Sequence, residues 1–404
     1  MTLLEDRPLV VVGAGMAGVA AAWAAAREGR RVVVVHDRAG ASSLYAGALD
    51  PEWSDGTAPN AAANTAADAG PGAPHVSAFF TALGGFRLGR GPIATSSGVV
   101  RTTHGADHAL LDLTPLAGKR IAVADIGRDD WDAPLLARTL GASAWATTTN
   151  TAFVAVPVKT LRSGHERRTP PYDFAALHDD EQRRASFADA LKHASDNIDA
   201  WLVGPWLGLT PETVTVLRRL VPLPLGETTS PPGGPAGARF ESARTRLLDA
   251  HQVALRNGRV ASVSARGGRW AVHFADDGGT PDELEANGVV LATGGIAAGG
   301  IVFTLEPRHG GRGFELPFRA PVVLALDRDI QGGGGSLYGP SLETVGLGVL
   351  ERVGIFTDAD GRPAGVGDEA AGLFAAGDAV AGRPRTMLAA AVAGLRAGTV
   401  AARV

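Results

Sequence analysis

Short, fully apolar runs alternate along this chain with longer helix-forming stretches. The first run, Leu9–Val12, is followed by a glycine turn, an Ala-rich stretch at 19–27 and a second apolar run at 32–35. An apolar run without polar positions is typical of a strand buried on both faces of a parallel sheet. The pattern therefore predicts a strand, turn, helix and strand over residues 9–37.

The same reasoning predicts further elements along the chain. Strands are expected at 119–125, 199–203, 288–292 and 372–378, helices at 134–140, 180–198, 239–251 and 386–402, and a hairpin at 259–265 and 270–274. Residues 54–72 are rich in small and turn residues and are expected to form a surface loop. A Pro- and Gly-rich segment at 227–237 is expected to be an internal boundary.

Composition narrows the classes of function. The 404 residues suggest two or three domains, and the net charge of −4 without a basic block argues against a nucleic-acid partner. The absence of cysteine excludes disulfides, a cysteine nucleophile and a Cys-held iron–sulfur cluster within this chain. We expect no metal site, no signal peptide and no transmembrane segment, and hence a cytoplasmic protein that acts on a small molecule.

The chain carries 54 glycines, and a few of them form a motif. The segment Gly13-Ala14-Gly15-Met16-Ala17-Gly18 fits the pattern G-x-G-x-x-G between a strand and a helix. Its glycines allow a tight turn, close approach of backbone to a pyrophosphate and close packing of helix on strand. Dinucleotide binding is the prediction, and a purely structural tight turn is the alternative.

The acid that normally binds the adenosine ribose should end the second strand, about 20 residues further on. The expected position is His36, and Asp37 comes one residue late. Three alternatives remain open at this stage. Asp37 binds the ribose, His36 does so more weakly, or backbone groups hold the adenosine end.

Two late glycine motifs favour a flavin over a nicotinamide cofactor. One, Thr293-Gly294-Gly295, ends an apolar run, and the other, Gly377-Asp378, precedes the final helix that begins near Thr386 and Met387. In two-part flavoproteins such a Gly-Asp pair places its carboxylate on the ribityl chain. The helix N-terminus that follows favours negative charge on a reduced flavin.

The stretches that carry a family resemblance are spread over nearly the full length. They are Val10–Gly18, Gly40–Asp50, Leu116–Val123, Gly237–Leu248, Leu291–Phe303 and Gly372–Gly377. In order and spacing the chain resembles a family of flavoprotein subunits of anaerobic glycerol-3-phosphate dehydrogenase. The resemblance implies a flavin, and Asp378, where the chain departs from that family, favours FAD over FMN. Gly47 of the small-residue loop joins the predicted cofactor residues. Ser42 and Ser43, which follow the second strand, are also predicted to contact the cofactor, with a packing role as their alternative.

The resemblance also implies an activity and partners. The family oxidises sn-glycerol 3-phosphate to dihydroxyacetone phosphate, passes electrons towards quinone, and works with partner subunits at the inner face of the cytoplasmic membrane. An alcohol donor with an anionic group needs a base and cations. The densest basic cluster near a cofactor motif, Arg308, His309 and Arg312, is the predicted catalytic set, and a solvated surface cluster is its alternative. Arg383 and Arg385, just after the Gly-Asp pair, are expected to face the flavin.

We therefore expect an α/β protein with a Rossmann-like FAD-binding domain and an inserted α+β substrate or cap domain. The expected FAD-binding domain is assembled from 1–75, 236–300 and 345–404, and the cap from 76–235 and 301–344. Two other hypotheses are a stand-alone FAD oxidoreductase with another substrate and a non-catalytic flavin-binding relay subunit.

Overall fold

The chain divides into two units by its internal contacts. A computed structural model describes residues 7–50, 73–304, 313–324, 353–367 and 371–404. Unit 1 holds the described residues of Met1–Ser42, Asp50–Phe79 and Arg246–Val404, and unit 2 holds those of Ser43–Leu49 and Phe80–Thr245. The domain limits expected from the sequence stay a prediction, and the expected surface loop at 54–72 lies outside the described residues.

The elements follow in chain order. The helices are α1 (Met16–Arg27), α2 (Ala73–Leu83), α3 (Ala133–Gly141), α4 (Ala144–Thr149), α5 (Pro171–Leu177), α6 (Glu181–His193), α7 (Pro211–Leu220), α8 (Pro235–Ala250) and α9 (Met387–Ala401). The strands are β1 (Leu9–Val12), β2 (Val32–His36), β3 (Ala48–Leu49), β4 (Phe86–Ala94), β5 (Val100–Asp107), β6 (Arg120–Asp125), β7 (Ala152–Pro157), β8 (Ala200–Val203), β9 (Leu225–Glu227), β10 (Ala254–Asn257), β11 (Arg259–Arg266), β12 (Arg269–Ala275), β13 (Pro281–Ala286), β14 (Gly288–Leu291), β15 (Val302–Thr304), β16 (Gly313–Glu315) and β17 (Leu373–Ala375).

The core of unit 1 is a parallel sheet with the strand order β10-β2-β1-β14-β17. Its central strands are buried on both faces, as their apolar runs predict. Val10, Val12, Val289 and Leu291 join one cluster on one face, whereas the alternate residues point to the opposite face. The predicted arrangement of strand, turn, helix and strand at the start of the chain is confirmed.

A second, antiparallel sheet of unit 1 has the order β11-β12-β13. The turn between β11 and β12 is Gly267-Gly268, with φ values of 59° and 75°. A two-residue turn with both φ values positive matches the twist of the strands it joins, and glycine adopts it without strain. Trp270 and Phe274 of β12 belong to the same core cluster as β1 and β14, so this hairpin, predicted from the sequence, covers one face of the parallel sheet.

The helices α1 and α9 pack closely against each other. A β-carbon on Gly394 would overlap the carbonyl oxygen of Ala17, and one on Gly398 would overlap that of Ala21. The absence of side chains at these two positions lets the backbones of α1 and α9 approach. This packing fixes the N-terminal ends of both helices beside the parallel sheet.

Unit 2 contains its own parallel sheet, with the order β7-β6-β8-β9, and an antiparallel sheet with the order β3-β5-β4. Its core is built around Trp201, Trp206, Phe174 and Phe187, all buried. The α/β class predicted from the sequence is confirmed, and the parallel sheet of unit 2 is a feature that the prediction did not specify.

One buried ion cluster lies within unit 2. The guanidinium of Arg239 on α8 donates to Asp107 at 2.8 Å, to Glu227 at 2.6 Å and to the carbonyl oxygen of Gly208 at 2.8 Å. Burial raises the pKa of the Glu227 carboxyl. The charge of Arg239 and the hydrogen bond from the Leu207 N–H act in the opposite direction and limit this rise. The segment 227–237, expected to be a boundary, therefore begins with the buried, ion-paired side chain of Glu227 inside unit 2.

Some helix ends differ from the prediction. Helix α6 ends at His193 instead of 198, and Ala194 follows it as the cap residue; Asn197, further on in the polar turn, adopts a left-handed conformation with φ of 57°. Helix α8 begins earlier than predicted, at Pro235, since proline suits the first turn of a helix. Among the described residues, no helix combines the length and apolar character needed to cross a bilayer.

Candidate functional site

A cleft runs along the carboxyl edge of the parallel sheet in unit 1. Its wall is formed by residues that follow the strands β2, β1 and β14 and by Asp378, shortly after β17. The empty space of the cleft, including its opening to solvent, is about 1040 Å³. Ligands of open parallel sheets bind outside the carboxyl ends of the strands, so this is the expected place for one.

The glycine turn closes the middle of the cleft. Gly13 has a φ of 109°, and a β-carbon there would overlap the carbonyl oxygen of Ala292, just after the neighbouring strand β14. A β-carbon on Gly18 would overlap the carbonyl oxygen of Gly13. The first glycine therefore permits the turn and the third lets α1 start directly against it, as the motif predicts.

The N-terminus of α1 opens into this cleft. Its first turn carries no acidic residue, and the backbone N–H of Met16 donates to the Ser42 hydroxyl at 2.9 Å. The unpaired N–H groups and the helix dipole give this end a partial positive charge, which favours an anion. Ser42 lines the cleft, and its hydroxyl can donate its own hydrogen to a phosphate oxygen.

The N-terminus of α9 reaches the same cleft. Thr386 caps this helix, and its hydroxyl accepts a hydrogen bond from the Ala389 N–H at 3.2 Å. Arg385 comes just before the cap, lines the cleft and donates to the carbonyl oxygen of Val353 at 2.8 Å. Two helix N-termini and a guanidinium therefore contribute positive charge to one cleft.

Asp378 is the acidic group at this end of the cleft. Burial raises the pKa of its carboxyl to about 6, and the nearby charge of Arg385 opposes the rise. Thr293 follows β14, and its hydroxyl is buried and has no hydrogen-bond partner among the described residues. A carboxyl group and a hydroxyl with spare hydrogen-bonding capacity suit the polar chain of a bound ligand.

At the other end of the cleft stand His36 and Asp37. The Asp37 carboxylate accepts two hydrogen bonds from Arg38, at 3.0 and 2.8 Å. Burial would raise the pKa of Asp37, but this hydrogen-bonded contact with Arg38 outweighs it and holds the pKa below its usual value. Asp37 is therefore an ionised acceptor at neutral pH.

The structure brings most of the predicted cofactor residues together. Those that line the cleft are Gly13, Ala14, Gly15, Met16, Ala17, His36, Asp37, Ser42, Thr293, Gly294, Asp378, Thr386 and Met387. Gly18, Gly295 and Gly377 are not among the lining residues and allow close packing, Gly377 against Ala17 and Gly295 against Arg385. Their roles in binding stay predictions.

The remaining predicted residues are not among the described residues that line the cleft. Ser43 and Gly47 belong to unit 2, where the carbonyl oxygen of Gly47 accepts a hydrogen bond from Tyr45. The predicted catalytic set, Arg308, His309 and Arg312, lies outside the described residues.

Sequence reasoning missed part of the wall. Gly258, Arg259 and Val260, at the junction of β10 and β11, and Pro317 and Phe318 also line the cleft. The position of the first three follows from the pairing of β10 beside β2, where the Gly258 N–H donates to the carbonyl oxygen of His36 at 2.8 Å. No periodicity or motif indicated that pairing, because β10 is short and mostly exposed.

One family model matches the first part of the chain. Residues 11–83 match the family model of an NAD(P)-binding Rossmann-like domain. The match covers the glycine turn, α1 and β2, the part of unit 1 that forms the middle and one end of the cleft. No match was found among curated proteins.

Solved structures give distant likenesses. AlpK is 14% identical, with 96% of this chain and 60% of AlpK covered and a TM-score of 0.35. The 3-ketosteroid delta1-dehydrogenase of Sterolibacterium denitrificans is 12% identical, with 98% of this chain and 99% of that chain covered and a TM-score of 0.40. The chain thus spans about three fifths of AlpK, and likenesses this distant assign no activity.

Proposed function

We propose that the chain binds FAD in the cleft of unit 1 and is a flavin-dependent oxidoreductase. The observation that carries the proposal is the convergence of two helix N-termini on one cleft at the carboxyl edge of a parallel sheet. A single Rossmann turn explains the N-terminus of α1 alone. The N-terminus of α9, with Asp378 before it, indicates a ligand that carries a further polar group beyond its pyrophosphate.

The residues of the cleft fit such a ligand in three parts. The glycine turn, the N-terminus of α1 and Ser42 would hold the pyrophosphate. The end of β2 would hold the adenosine. Thr293, Asp378 and the N-terminus of α9 would hold the ribityl chain and the flavin ring, and the buried Thr293 hydroxyl has bonding capacity left for this role.

FAD supplies the capacity to accept a hydride from a substrate. The contribution of this chain is electrostatic. Arg385 and the N-terminus of α9 place positive charge at the end of the cleft assigned to the flavin ring, where electron density increases on reduction. Asp378, with its raised pKa, adds little opposing negative charge below pH 6.

For the substrate, we propose sn-glycerol 3-phosphate or a related phosphorylated alcohol, with electrons passed towards quinone through partner subunits. The support is the sequence resemblance to the flavoprotein subunits of anaerobic glycerol-3-phosphate dehydrogenase. In this proposal Arg308 and Arg312 bind the anionic group and His309 takes the hydroxyl proton.

The test begins with the purified protein. We expect it to be yellow and to release FAD on denaturation, or to bind added FAD with a dissociation constant that calorimetry can measure. If neither occurs, the flavin proposal fails. Candidate donors are then added without oxygen, and bleaching of the flavin by glycerol 3-phosphate, with none by glycerol, would support the substrate.

Substitution of the basic cluster separates catalysis from relay. Replacing Arg308, His309 and Arg312 by alanine should abolish bleaching and leave FAD bound. The matched control replaces Arg266 and Arg269, which flank the β11–β12 turn, and should bleach normally. Unchanged turnover in the first variant would contradict the predicted catalytic set and favour a relay subunit.

A further inference from the structure

A shallow cavity lies at the carboxyl edge of the parallel sheet of unit 2. Its described lining residues are Asp129, in the loop after β6, and Gly164, His165, Arg167 and Arg168, in the loop after β7. The empty space, including its opening to solvent, is about 740 Å³. Ligands of open parallel sheets bind outside the carboxyl ends of the strands, so the cavity lies where such a sheet receives a ligand.

The side chain of Arg128 fixes the two loops that form this cavity. It is fully buried, and its guanidinium donates to the carbonyl oxygen of Glu166 at 2.9 Å and to that of Thr169. The Asp129 N–H donates to the carbonyl oxygen of Arg167 at 3.0 Å. Because these bonds join the loop after β6 to the loop after β7, the backbone of the cavity is in place before a ligand binds, which lowers the entropic cost of binding.

Asp129 holds two guanidinium groups side by side. Its two carboxylate oxygens accept hydrogen bonds from Nε of Arg167 at 3.0 Å and from Nε of Arg168 at 2.8 Å. These hydrogen bonds, first that of Arg168, hold the pKa of Asp129 below its usual value. The terminal nitrogens Nη1 and Nη2 of both arginines make no hydrogen bond to the described residues, and the two side chains are 57% and 85% exposed.

The cavity therefore keeps both positive charge and unused donors. Asp129 is the one acid among its described lining residues, so two guanidinium groups against one carboxylate leave a single positive charge. The unused edge of each guanidinium presents two parallel N–H groups, which match the spacing of oxygens in an oxyanion. A carboxylate has two oxygens and is satisfied by one such edge, whereas a phosphate monoester has three terminal oxygens and can accept from both.

We propose that this cavity binds the phosphate group of a small phosphorylated molecule. Arg167 and Arg168 are the donors, and Asp129 positions them. The concave shape favours a small soluble molecule over a phosphate headgroup in the flat surface of a membrane. The cavity shares no described lining residue with the cleft of unit 1, so the inference does not depend on the flavin.

The experiment follows the Nε–H signals of arginine side chains by NMR on the full chain at low ionic strength, with inorganic phosphate as the probe. The signals of Arg167 and Arg168 are identified by their loss in Arg167→Gln and Arg168→Gln. We expect both to shift saturably, with a dissociation constant of about 1 mM. Acetate, which can engage one guanidinium edge, should bind at least about tenfold more weakly.

Variants separate recognition by geometry from attraction by charge. In Arg167→Gln, the affinity for phosphate, followed at the Arg168 signal, should fall at least about tenfold. Arg167→Lys keeps the charge but lacks the planar pair of donors, and it should still weaken binding about threefold or more. The matched control is Arg266→Gln, at an exposed arginine that pairs with Glu283 in unit 1, and it should leave the affinity at the cavity unchanged.

Several outcomes would overturn the inference. They are the absence of a saturable shift at Arg167 and Arg168, an equal response at Arg266, or equal affinities for acetate and phosphate. An unchanged affinity in Arg167→Lys would refute recognition by the guanidinium geometry. Vesicles of phosphatidylcholine with phosphatidic acid test the other source of the same group: if they broaden the two signals while inorganic phosphate has no effect, the soluble ligand is refuted.

The readout also keeps this inference apart from the flavin proposal. The same NMR samples are titrated with FAD, and the Arg385 signal, identified by its loss in Arg385→Gln, reports on the cleft of unit 1. If FAD does not bind while phosphate shifts Arg167 and Arg168 as expected, the flavin proposal fails and the phosphate site stands. If FAD binds and these two signals do not respond to phosphate, the reverse holds.

Discussion

At the scale of single residues, Asp378 links the cleft to the pH dependence of stability. Burial raises the pKa of its carboxyl from the ordinary value of 3.8 to about 6. Between these values the folded chain holds a proton that the unfolded chain has released, so the free energy of unfolding falls as pH rises. A shift of roughly two pKa units corresponds to about 3 kcal/mol, fully lost above pH 6.

The substitution Asp378→Asn should remove this loss. Without cofactor, the variant should gain stability relative to the unchanged chain at pH 7.5 and show little difference at pH 4, as measured by denaturant unfolding. The same variant should bind FAD more weakly. Asp277→Asn, at the exposed turn after β12, is the control and should change neither quantity. A stability difference that grows as the pH falls would have the wrong sign for this explanation.

Arg239 contributes to the stability of unit 2 through its buried ion pairs. Its guanidinium forms ion pairs with both Asp107 and Glu227, and the side chains of all three are almost completely buried. Arg239→Met leaves two buried carboxylates without the cation that hydrogen-bonds to them, and we expect the free energy of unfolding to fall by about 3–5 kcal/mol. Adding Glu227→Gln should recover part of that loss.

The control for Arg239 is Arg168→Met at the exposed pair with Asp129, where solvent screens the charges. This variant should unfold at the same denaturant concentration as the unchanged chain. Equal losses in the two variants would show that burial does not set the importance of these ion pairs.

The role of a residue could be predicted from the sequence where the role depends on its spacing from neighbouring residues along the chain. The pattern Gly13, Gly15 and Gly18 specifies close contacts that the structure shows. Arg259 and Phe318 could not be predicted, because they reach the cleft through strand pairings between distant segments. Such pairings leave no short-range signal in the sequence.

At the scale of elements, the contact of α1 with α9 depends on missing side chains. Gly398→Ala would place a methyl group against the backbone of Ala21 and separate the two helices. We expect a loss of about 1–3 kcal/mol in the free energy of unfolding, as for other overpacked positions. Weaker FAD binding should accompany it, because both helix N-termini line the cleft.

The matched control is Gly141→Ala at the end of α3. No atom lies within 4 Å of the added carbon there, so this variant should be as stable as the unchanged chain or slightly more so. If both alanine variants behave alike, close packing does not explain the glycine at 398.

Element types followed from periodicity more reliably than element ends. The buried strands β1, β6, β8 and β14 were predicted because a short, continuous apolar run is typical of a strand buried on both faces of a parallel sheet. The early start of α8 at Pro235 and the early end of α6 at His193 reflect the local chemistry of the turns beside them. A helical pattern alone does not show where such a turn will interrupt it.

At the scale of the whole molecule, the cleft belongs to one unit. All the described residues that line it are in unit 1, although that unit is assembled from segments far apart in the sequence. Composition could indicate that more than one domain exists. It could not define which segments share a core, because the clusters around β1 and β6 have the same apolar character.

This division predicts where a bound cofactor will protect the backbone. Saturating FAD at about 100 times its dissociation constant adds roughly 2.7 kcal/mol to the stability of the segments whose opening releases it. Amide hydrogen exchange in α1, β1 and β14 should slow by up to about 100-fold. Strands β6 and β8 of unit 2 serve as the control within the same molecule and should slow much less. Equal slowing in both sets would mean that they open only by unfolding of the whole chain, whereas no slowing in unit 1 would place the ligand outside its cleft.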